Sequence, residues 1–204
     1  MSSHPVHGRT FTQDARRAQI VEATIETLAE VGYTKTSFTA ICRHAQLSST
    51  GLITYHFTGK PQLLREVTRS ILEKARAART RRIAQETTHR GKLRAYITSH
   101  FDFMACYPAH ARALTEIVEL VRERRASGLD DLARSALSVE GLVVLLEEGC
   151  RAGEFRICDP RVFALAVQGA IDNVVRHHQL FPAADLGSRA RELADIFDRC
   201  TQPV

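Results

Sequence analysis

The sequence predicts an all-α fold of about nine helices. Apolar residues recur at three- and four-residue spacing along nearly the whole chain, which is the period of an amphipathic helix. No segment alternates apolar and polar residues as a half-buried strand does, and glycines and prolines separate the periodic stretches. With 204 residues, of which 44% are hydrophobic and 25% charged, the chain has the composition of a folded globular protein and not of a disordered or fibrous one.

The first part of the chain predicts an arm and three helices. Residues 1–12 show no apolar periodicity and are expected to form a flexible arm. A first helix starts near Asp14 and stops at Gly32, since glycine is common just after a helix C-terminus. A short helix over about 38–44 and a third over about 50–57 follow. The apolar residues that should fasten the third helix to the other two are Leu52, Ile53 and Phe57.

The middle of the chain predicts four helices that prolines and glycines delimit. Pro61 is placed to be the first residue of a fourth helix, where its fixed φ costs nothing. Pro108 interrupts the fifth helix, and Gly128 separates the sixth from the seventh. The seventh is expected to run from Leu132 to Cys150.

The last part of the chain predicts two helices. Asp159 followed by Pro160 is typical of an N-cap and a first-turn proline, so an eighth helix is expected over about 159–180. A ninth is expected over about 185–200. The apolar residues of the ninth helix that should face inward are Leu193, Ile196 and Phe197.

Positive charge is concentrated in the first half of the chain. The chain has 28 Lys and Arg against 23 Asp and Glu, a net charge of +5. The first 95 positions hold 16 basic and 7 acidic residues, a net charge of +9, and the remaining positions have a net charge of −4. This asymmetry favours contact with a polyanion at one end. The four arginines within 76–82 are expected to be solvated and to strengthen the long-range field without reading a DNA sequence.

The cysteines and the apolar runs favour a cytoplasmic protein. Five cysteines, without a C-x-x-C pair, indicate neither a disulfide framework nor a zinc site. No apolar run reaches the roughly 18 residues of a membrane span, and the first residues lack the pattern of a signal peptide. We therefore expect no membrane association, no metal and no cofactor.

Three short helices with a tight turn between the second and third are what a helix-turn-helix DNA-binding motif requires. Hydroxyl groups near helix N-termini suit phosphate oxygens, with simple capping as the alternative, and a lysine can contact a phosphate or remain solvated. Side chains on the third helix can reach base edges, unless they pack inward. The residues expected to contact DNA are Thr36, Ser48, Ser49, Thr50, Gly51, Thr54, Tyr55, His56 and Lys60. Weaker candidates, reaching from the arm, are Arg9, Arg16 and Arg17.

Residues 36–48, TSFTAICRHAQLS, and residues 51–64, GLITYHFTGKPQLL, resemble the helix-turn-helix of the tetracycline-repressor (TetR) family. The resemblance covers about 50 residues, from Arg16 to Leu64. The chain departs from the family at Cys42, where alanine is usual, at Gln46, where the turn has glycine, and at Thr54, where tyrosine is usual, and its turn is one residue longer. Gln46 must therefore adopt the left-handed conformation that glycine takes cheaply, or shift the turn.

The resemblance implies two domains and a regulatory function. It implies a helix-turn-helix domain over 13–60 and a helical domain over 61–204 that binds a small-molecule effector and dimerises through the last two helices. The function implied is that of a homodimeric repressor which binds a pseudo-palindromic operator in double-stranded DNA and responds to the effector. The protein is accordingly not expected to be an enzyme.

The effector pocket and the dimer interface are assigned to residues of the second domain. Aromatic and polar residues crowd the end of the fifth helix and the sixth, where an ordinary core is the alternative to a pocket. These residues are His100, Phe101, Phe103, Met104, Cys106, Tyr107 and Glu116. Small and apolar residues on the last two helices are assigned to the interface, with packing inside the domain as the alternative. They are Val162, Ala166, Gly169, Asn173, Leu193 and Phe197.

Two other classes of protein are weighed against this hypothesis. His177, His178 and Asp172 suggest a metal enzyme, but adjacent histidines on a helix point about 100° apart, and no catalytic motif accompanies them. The other class is a helical small-molecule-binding protein that has lost specific DNA binding. The departures at Gln46 and Thr54 keep this alternative open.

Overall fold

The computed structural model describes residues 11–123, 129, 138–181 and 185–202. These residues form nine α-helices and no strand, which confirms the all-α prediction. None of the helices within the described ranges is long and apolar enough to cross a membrane. The helices are α1 (Phe11–Lys35), α2 (Phe38–His44), α3 (Gly51–His56), α4 (Lys60–Ile83), α5 (His89–Cys106), α6 (Pro108–Arg122), α7 (Glu140–Arg151), α8 (Pro160–Leu180) and α9 (Leu186–Cys200).

Most helix ends follow the predicted capping and breaking residues. Asp159 is the N-cap of α8, where its side chain accepts hydrogen bonds from two backbone N–H groups of the first turn, and Pro160 is the first residue of that helix. Pro108 starts α6 two residues after α5 ends at Cys106. Gly32, inside the range of α1, has φ +73° and ψ 171°, so the helical path breaks at the predicted stop.

Two predicted boundaries differ. The helix α1 begins at Phe11, inside the segment predicted as an arm, and the rest of that arm, including Arg9, lies outside the described residues. Gly128 and Leu132, at the predicted start of the seventh helix, also lie outside them. The helix itself begins at Glu140, with Val139 as its N-cap, so the prediction of one helix running from Leu132 to Cys150 is wrong.

The helices form two compact units. The first contains α1, α2, α3, α4 as far as Ser70, and α6 from Arg112 onward. Its core confirms the predicted burial of Ile53 and Phe57, while Leu52 is half-buried. Burying an aliphatic side chain of this size stabilises a fold by about 1.5 to 3 kcal/mol. Further core residues are Ile20, Ile25, Leu28, Ile41, Leu63, Val67, Ala113 and Ile117.

The second unit contains α4 from Ile71, α5, the first residues of α6 as far as Ala111, and α7 to α9. The helix α5 lies at its centre and packs on α7, α8 and α9. At the end of α7, the backbone N–H groups of Glu154 and Phe155 both donate to the Gly149 carbonyl oxygen. A Cβ atom at Gly149 would lie 2.2 Å from the Phe155 ring, so this turn requires glycine there.

Candidate DNA-binding surface

The turn between α2 and α3 is set by Gln46. Its φ is +52°, and it is the one non-glycine residue in the described part of the chain with a positive φ. The backbone closes around it through hydrogen bonds from Gln46 N to Arg43 O, at 3.3 Å, and from Leu47 N to Cys42 O, at 2.9 Å. Gln46 therefore adopts the left-handed conformation, the first of the two possibilities that its sequence position raised.

The helix α3 has a buried face and an exposed face. Ile53 has no exposed surface, and Phe57, just after the helix, is 1% exposed. On the opposite face Thr54 is exposed and Tyr55 is 71% exposed. The Tyr55 hydroxyl accepts a hydrogen bond from Gln13 Nε2 at 3.3 Å. The apolar side thus fixes the helix to the core, and a threonine and a tyrosine remain on the solvent side.

The polar residues before α3 are also exposed. Ser48, Ser49, Thr50 and Gly51 all lie at the surface. Thr50 occupies the N-cap position of α3, yet its side chain makes no capping hydrogen bond. These residues together with the exposed face of α3 form one polar surface, which we call the α3 surface.

Arg17 contacts the C-terminal end of α3 and is mostly buried, so it is not part of the α3 surface. Its Nη1 donates to the His56 carbonyl oxygen at 2.9 Å, its Nη2 lies 3.1 Å from Glu66 Oε2, and its guanidinium carbon lies 4.2 Å from the centre of the Phe57 ring. Its side chain is only 12% exposed. Burial alone would raise the Glu66 pKa, but hydrogen bonds from Arg69 and Arg17 outweigh it and leave the pKa below its ordinary value. Arg17, a weaker candidate for a DNA contact from the arm, instead has partners within the protein.

Thr36 directly follows α1, and Lys60, the first residue of α4, contacts the end of α1. Thr36 is 2% exposed, and its hydroxyl donates to the Gly32 carbonyl oxygen at 2.7 Å. Lys60 Nζ donates to the Tyr33 carbonyl oxygen at 2.8 Å and lies 3.8 Å from the centre of the Tyr33 ring. Burial lowers the Lys60 pKa. Both residues had been predicted to contact phosphates, and both instead have partners within the protein.

The predicted pocket residues are divided between the two units. Glu116 lies in the first, where its Oε1 accepts a hydrogen bond from Tyr33 N at 2.9 Å. The remaining residues lie in the second unit, so the structure does not bring the predicted set together in either one. Phe101 and Phe103 are buried, His100 and Met104 are half-buried, and Cys106 and Tyr107 are exposed.

His100 is the pocket candidate with a strongly shifted pKa. One ring nitrogen, Nδ1, lies 2.8 Å from the Tyr96 carbonyl oxygen, and the other, Nε2, lies 3.2 Å from Arg79 Nη1. Burial, followed by the charge of Arg79, lowers the His100 pKa to about 4. The imidazole is therefore neutral at neutral pH.

The last two helices carry an exposed apolar face. Val162 is 61% exposed, and Ala166, Gly169 and Asn173 are also exposed, on the side of α8 that the sequence assigned to an interface. The other residues assigned to the interface, which are on α9, point elsewhere, because Leu193 is 8% exposed and Phe197 packs against the core of its own unit.

Sequence reasoning missed two members of this face. Leu165 and Ile196 are each 56% exposed, although Ile196 was predicted to face inward. Leu165 follows Val162 by three residues and therefore shares its side of the helix, so the spacing contained the signal. We call Val162, Leu165, Ala166, Gly169 and Ile196 the α8–α9 face.

An N-terminal helix-turn-helix with an exposed recognition helix, followed by a second helical unit, defines a DNA-binding transcriptional regulator. Comparison with known families agrees. Residues 20–67 match the family described as bacterial regulatory proteins, tetR family, and residues 86–177 match a tetracyclin repressor-like C-terminal domain. The chain belongs to the TetR family of transcriptional regulators, which is a family of regulators and not of enzymes.

Curated relatives match part of the chain. The HTH-type transcriptional regulator BetI of Paraburkholderia phymatum is 36% identical over 91 residues, which are 44% of this chain and 46% of the relative. BetI of Burkholderia ambifaria is 34% identical over 91 residues, with the same coverage of both chains. The alignments thus span about half the length of these relatives.

Solved structures share the fold of nearly the whole chain. The fatty acid degradation regulator FadR of Bacillus halodurans has a TM-score of 0.77 at 21% identity and covers 93% of this chain and 96% of its own. FadR of Bacillus subtilis, solved in complex with stearoyl-CoA, has a TM-score of 0.76 at 24% identity and covers 91% and 99%. These similarities support the fold.

Proposed function

We propose that this TetR-family regulator is a homodimeric repressor that binds a pseudo-palindromic operator and releases it in response to a small-molecule effector. Its helix-turn-helix domain would comprise residues 13–60 and its effector-binding and dimerisation domain residues 61–204. As a regulator of transcription it would act in the cytoplasm, on double-stranded DNA.

The exposed α3 surface carries the DNA-binding part of the proposal. The apolar face of the helix α3 is buried, Arg17 binds the backbone at its C-terminal end, and Gln46 sets the turn before it. In this position α3 can present Thr54 and Tyr55 to a major groove. Hydroxyl groups placed before the helix position the protein on phosphates. The proposed contacts are Ser48, Ser49, Thr50, Gly51, Thr54, Tyr55 and His56. Thr36 and Lys60 contribute by holding the end of α1.

The α8–α9 face supports the homodimer. Exposed apolar side chains on two helices that contact each other mark an interaction surface in a soluble protein. Closed two-fold dimers are the commonest homo-oligomers, and a two-fold pair of recognition helices matches the symmetry of a palindromic operator. The proposed interface consists of Val162, Leu165, Ala166, Gly169, Asn173 and Ile196.

The second helical unit supports the effector response, because it is far more chain than DNA contact requires. The Bacillus subtilis neighbour, with a similar fold, was solved with stearoyl-CoA bound. An effector releases the operator only if it binds the released conformation more tightly than the DNA-bound one.

Selection of bound sequences from a random DNA pool, followed by affinity measurements at one stated salt concentration, tests the proposal. We expect an enriched palindrome, bound at least about a thousandfold more tightly than random DNA. Thr54→Ala and Tyr55→Ala should each weaken binding to that site by about 1 to 3 kcal/mol. The control Thr80→Ala, an exposed threonine on α4 in the second unit, should leave affinity unchanged. A protein that enriches no sequence would instead be a helical ligand-binding protein without specific DNA binding.

A further inference from the structure

A chain of polar groups crosses the second unit from α4 to α8. Arg79 of α4 donates from Nη1 to Nε2 of His100, at 3.2 Å, and its guanidinium carbon lies 5.1 Å from the centre of the Tyr96 ring. The Tyr96 hydroxyl donates to Gln168 Oε1 at 3.1 Å, and Gln168 Nε2 donates to Asp172 Oδ1 at 2.8 Å. Three helices therefore place a guanidinium, a phenol, an amide and a carboxylate in one continuous series.

His100, the histidine in this series of polar groups, cannot balance the charge of Arg79. Its Nδ1 lies 2.8 Å from the Tyr96 carbonyl oxygen and must donate to it, so Nε2 is the acceptor for Arg79. In that state the ring is a neutral acceptor, and the positive charge of the guanidinium remains.

Arg79 also lacks a carboxylate partner within the described ranges. No Asp or Glu there lies within 4 Å of its guanidinium, whereas Arg69 and Arg82 on the same helix pair with Glu66 and Glu86. A guanidinium has five N–H donors, and the hydrogen bond to His100 uses one of them. A half-buried charge without a counter-ion is unfavourable, so this arrangement suits an anion supplied from outside.

The residues around this series of polar groups are apolar. Tyr96 is 5% exposed and belongs to the hydrophobic core of the second unit. The same helices contribute Ile97, Phe101, Val167 and Ile171 to that core. A ligand bound at the half-buried Arg79 would thus lie at the edge of an apolar core.

We propose that Arg79, whose guanidinium lies over the Tyr96 ring, binds the carboxylate of the effector. The effector is thereby assigned to carboxylic acids with an apolar body, and the proposal rests on the proposed function as a ligand-responsive regulator. Guanidinium and carboxylate form paired, charge-assisted hydrogen bonds, which a lysine at this position would not reproduce. The anchor lies on α4, the helix whose other end begins at Lys60 beside the helix-turn-helix.

Thermal unfolding of the full chain in the presence of simple carboxylates tests the assignment. The probes are benzoate and decanoate, each titrated against chloride at constant ionic strength, with benzamide and decanol as uncharged counterparts. We expect at least one carboxylate to raise the melting temperature of the wild type saturably, and its uncharged counterpart to have a smaller effect. Arg79→Gln should weaken the apparent affinity about tenfold or more, and Arg79→Lys should give an intermediate value.

Arg82→Gln is the matched control, because Arg82 lies on the same helix and pairs with Glu86. It should leave carboxylate affinity unchanged. Ligand-free Arg79→Gln should melt no lower than the wild type, since it removes a half-buried charge without a counter-ion.

Three outcomes would overturn the carboxylate site. They are the absence of a saturable shift with both acids, equal shifts for acid and uncharged counterpart, and equal affinity of Arg79→Gln and wild type. Operator binding by Arg79→Gln is measured separately. A wild type that binds a carboxylate but selects no DNA sequence would refute the proposed function and leave the binding site standing.

Discussion

Gln46 places the backbone strain of the DNA-binding turn at one residue. A residue with a Cβ atom in the left-handed region costs about 1 kcal/mol relative to glycine. The α2–α3 geometry is nonetheless kept, because the hydrogen bonds on either side of Gln46 hold the turn. The strained residue therefore lies in the turn that leads into the exposed helix α3.

Replacing this residue by glycine should stabilise the protein. We expect Gln46→Gly to raise the free energy of unfolding by about 1 kcal/mol, because glycine adopts the observed φ without a steric penalty. Urea unfolding followed by circular dichroism measures the change. The control Arg43→Gly, at an exposed right-handed position of α2, should be destabilising by a similar amount. Destabilisation by Gln46→Gly would contradict the strain.

His100 should make stability depend on pH. Its pKa is lowered from an ordinary value of 6.5 to about 4 in the folded protein, so the unfolded chain binds the proton more readily. Above about pH 6.5 the imidazole is neutral in both the folded and the unfolded protein, and the free energy of unfolding is unaffected. As the pH falls towards 4, the unfolded protein takes up the proton first, so the free energy of unfolding declines. Between pH 7 and pH 5 we expect a loss on the order of 2 kcal/mol that His100→Gln does not show. Urea unfolding at the two pH values tests this, and equal losses in both proteins would contradict it.

At the scale of elements, the end of α1 is joined to two other helices through one residue, Tyr33. Gly32 breaks the helical path, and the next residue, Tyr33, has its N–H bound by Glu116 of α6 and its carbonyl oxygen bound by Lys60 of α4. These charged side chains thus satisfy polar groups that an unbroken helix would satisfy itself.

Removing the Glu116 side chain of α6 should lower the free energy of unfolding. We expect Glu116→Ala to lower the free energy of unfolding by about 1 kcal/mol or more, because the Tyr33 N–H loses its acceptor. Glu116→Gln keeps an acceptor oxygen and should cost less. Glu119→Ala, which removes an exposed pair with Arg122 on the same helix, should change stability by under about 0.5 kcal/mol. Chemical unfolding of the three variants ranks them, and equal effects at positions 116 and 119 would contradict the assigned role.

Helices were predictable from the sequence to a greater extent than side-chain contacts. Asp159 with Pro160, and Pro108, mark helix starts by local chemistry, and the structure uses them as predicted. The partner of a side chain depends on the packing of distant segments. Lys60 and Glu116 meet Tyr33 across 27 and 83 positions of sequence, and no local pattern encodes that meeting.

At the scale of the whole molecule, the exposed α8–α9 face should mediate dimerisation. Leu165→Asp places a charge at its centre, and desolvating that charge should raise the dimer dissociation constant at least about tenfold. Sedimentation velocity over a concentration series measures it. Val144→Asp, at a 51% exposed valine of α7, is the control and should leave the constant unchanged. A Leu165→Asp protein that sediments as the wild type does would place the interface elsewhere.

The close approach of Gly149 and Phe155 has a consequence for how related sequences diverge. The Phe155 ring fills the space that a side chain at position 149 would need, so position 149 must stay glycine while the ring is present. A larger residue at 149 becomes acceptable only after the ring at 155 is replaced by something smaller. We therefore expect the two positions to co-vary among relatives, and the pair glycine and phenylalanine to mark those that share this connection between α7 and α8.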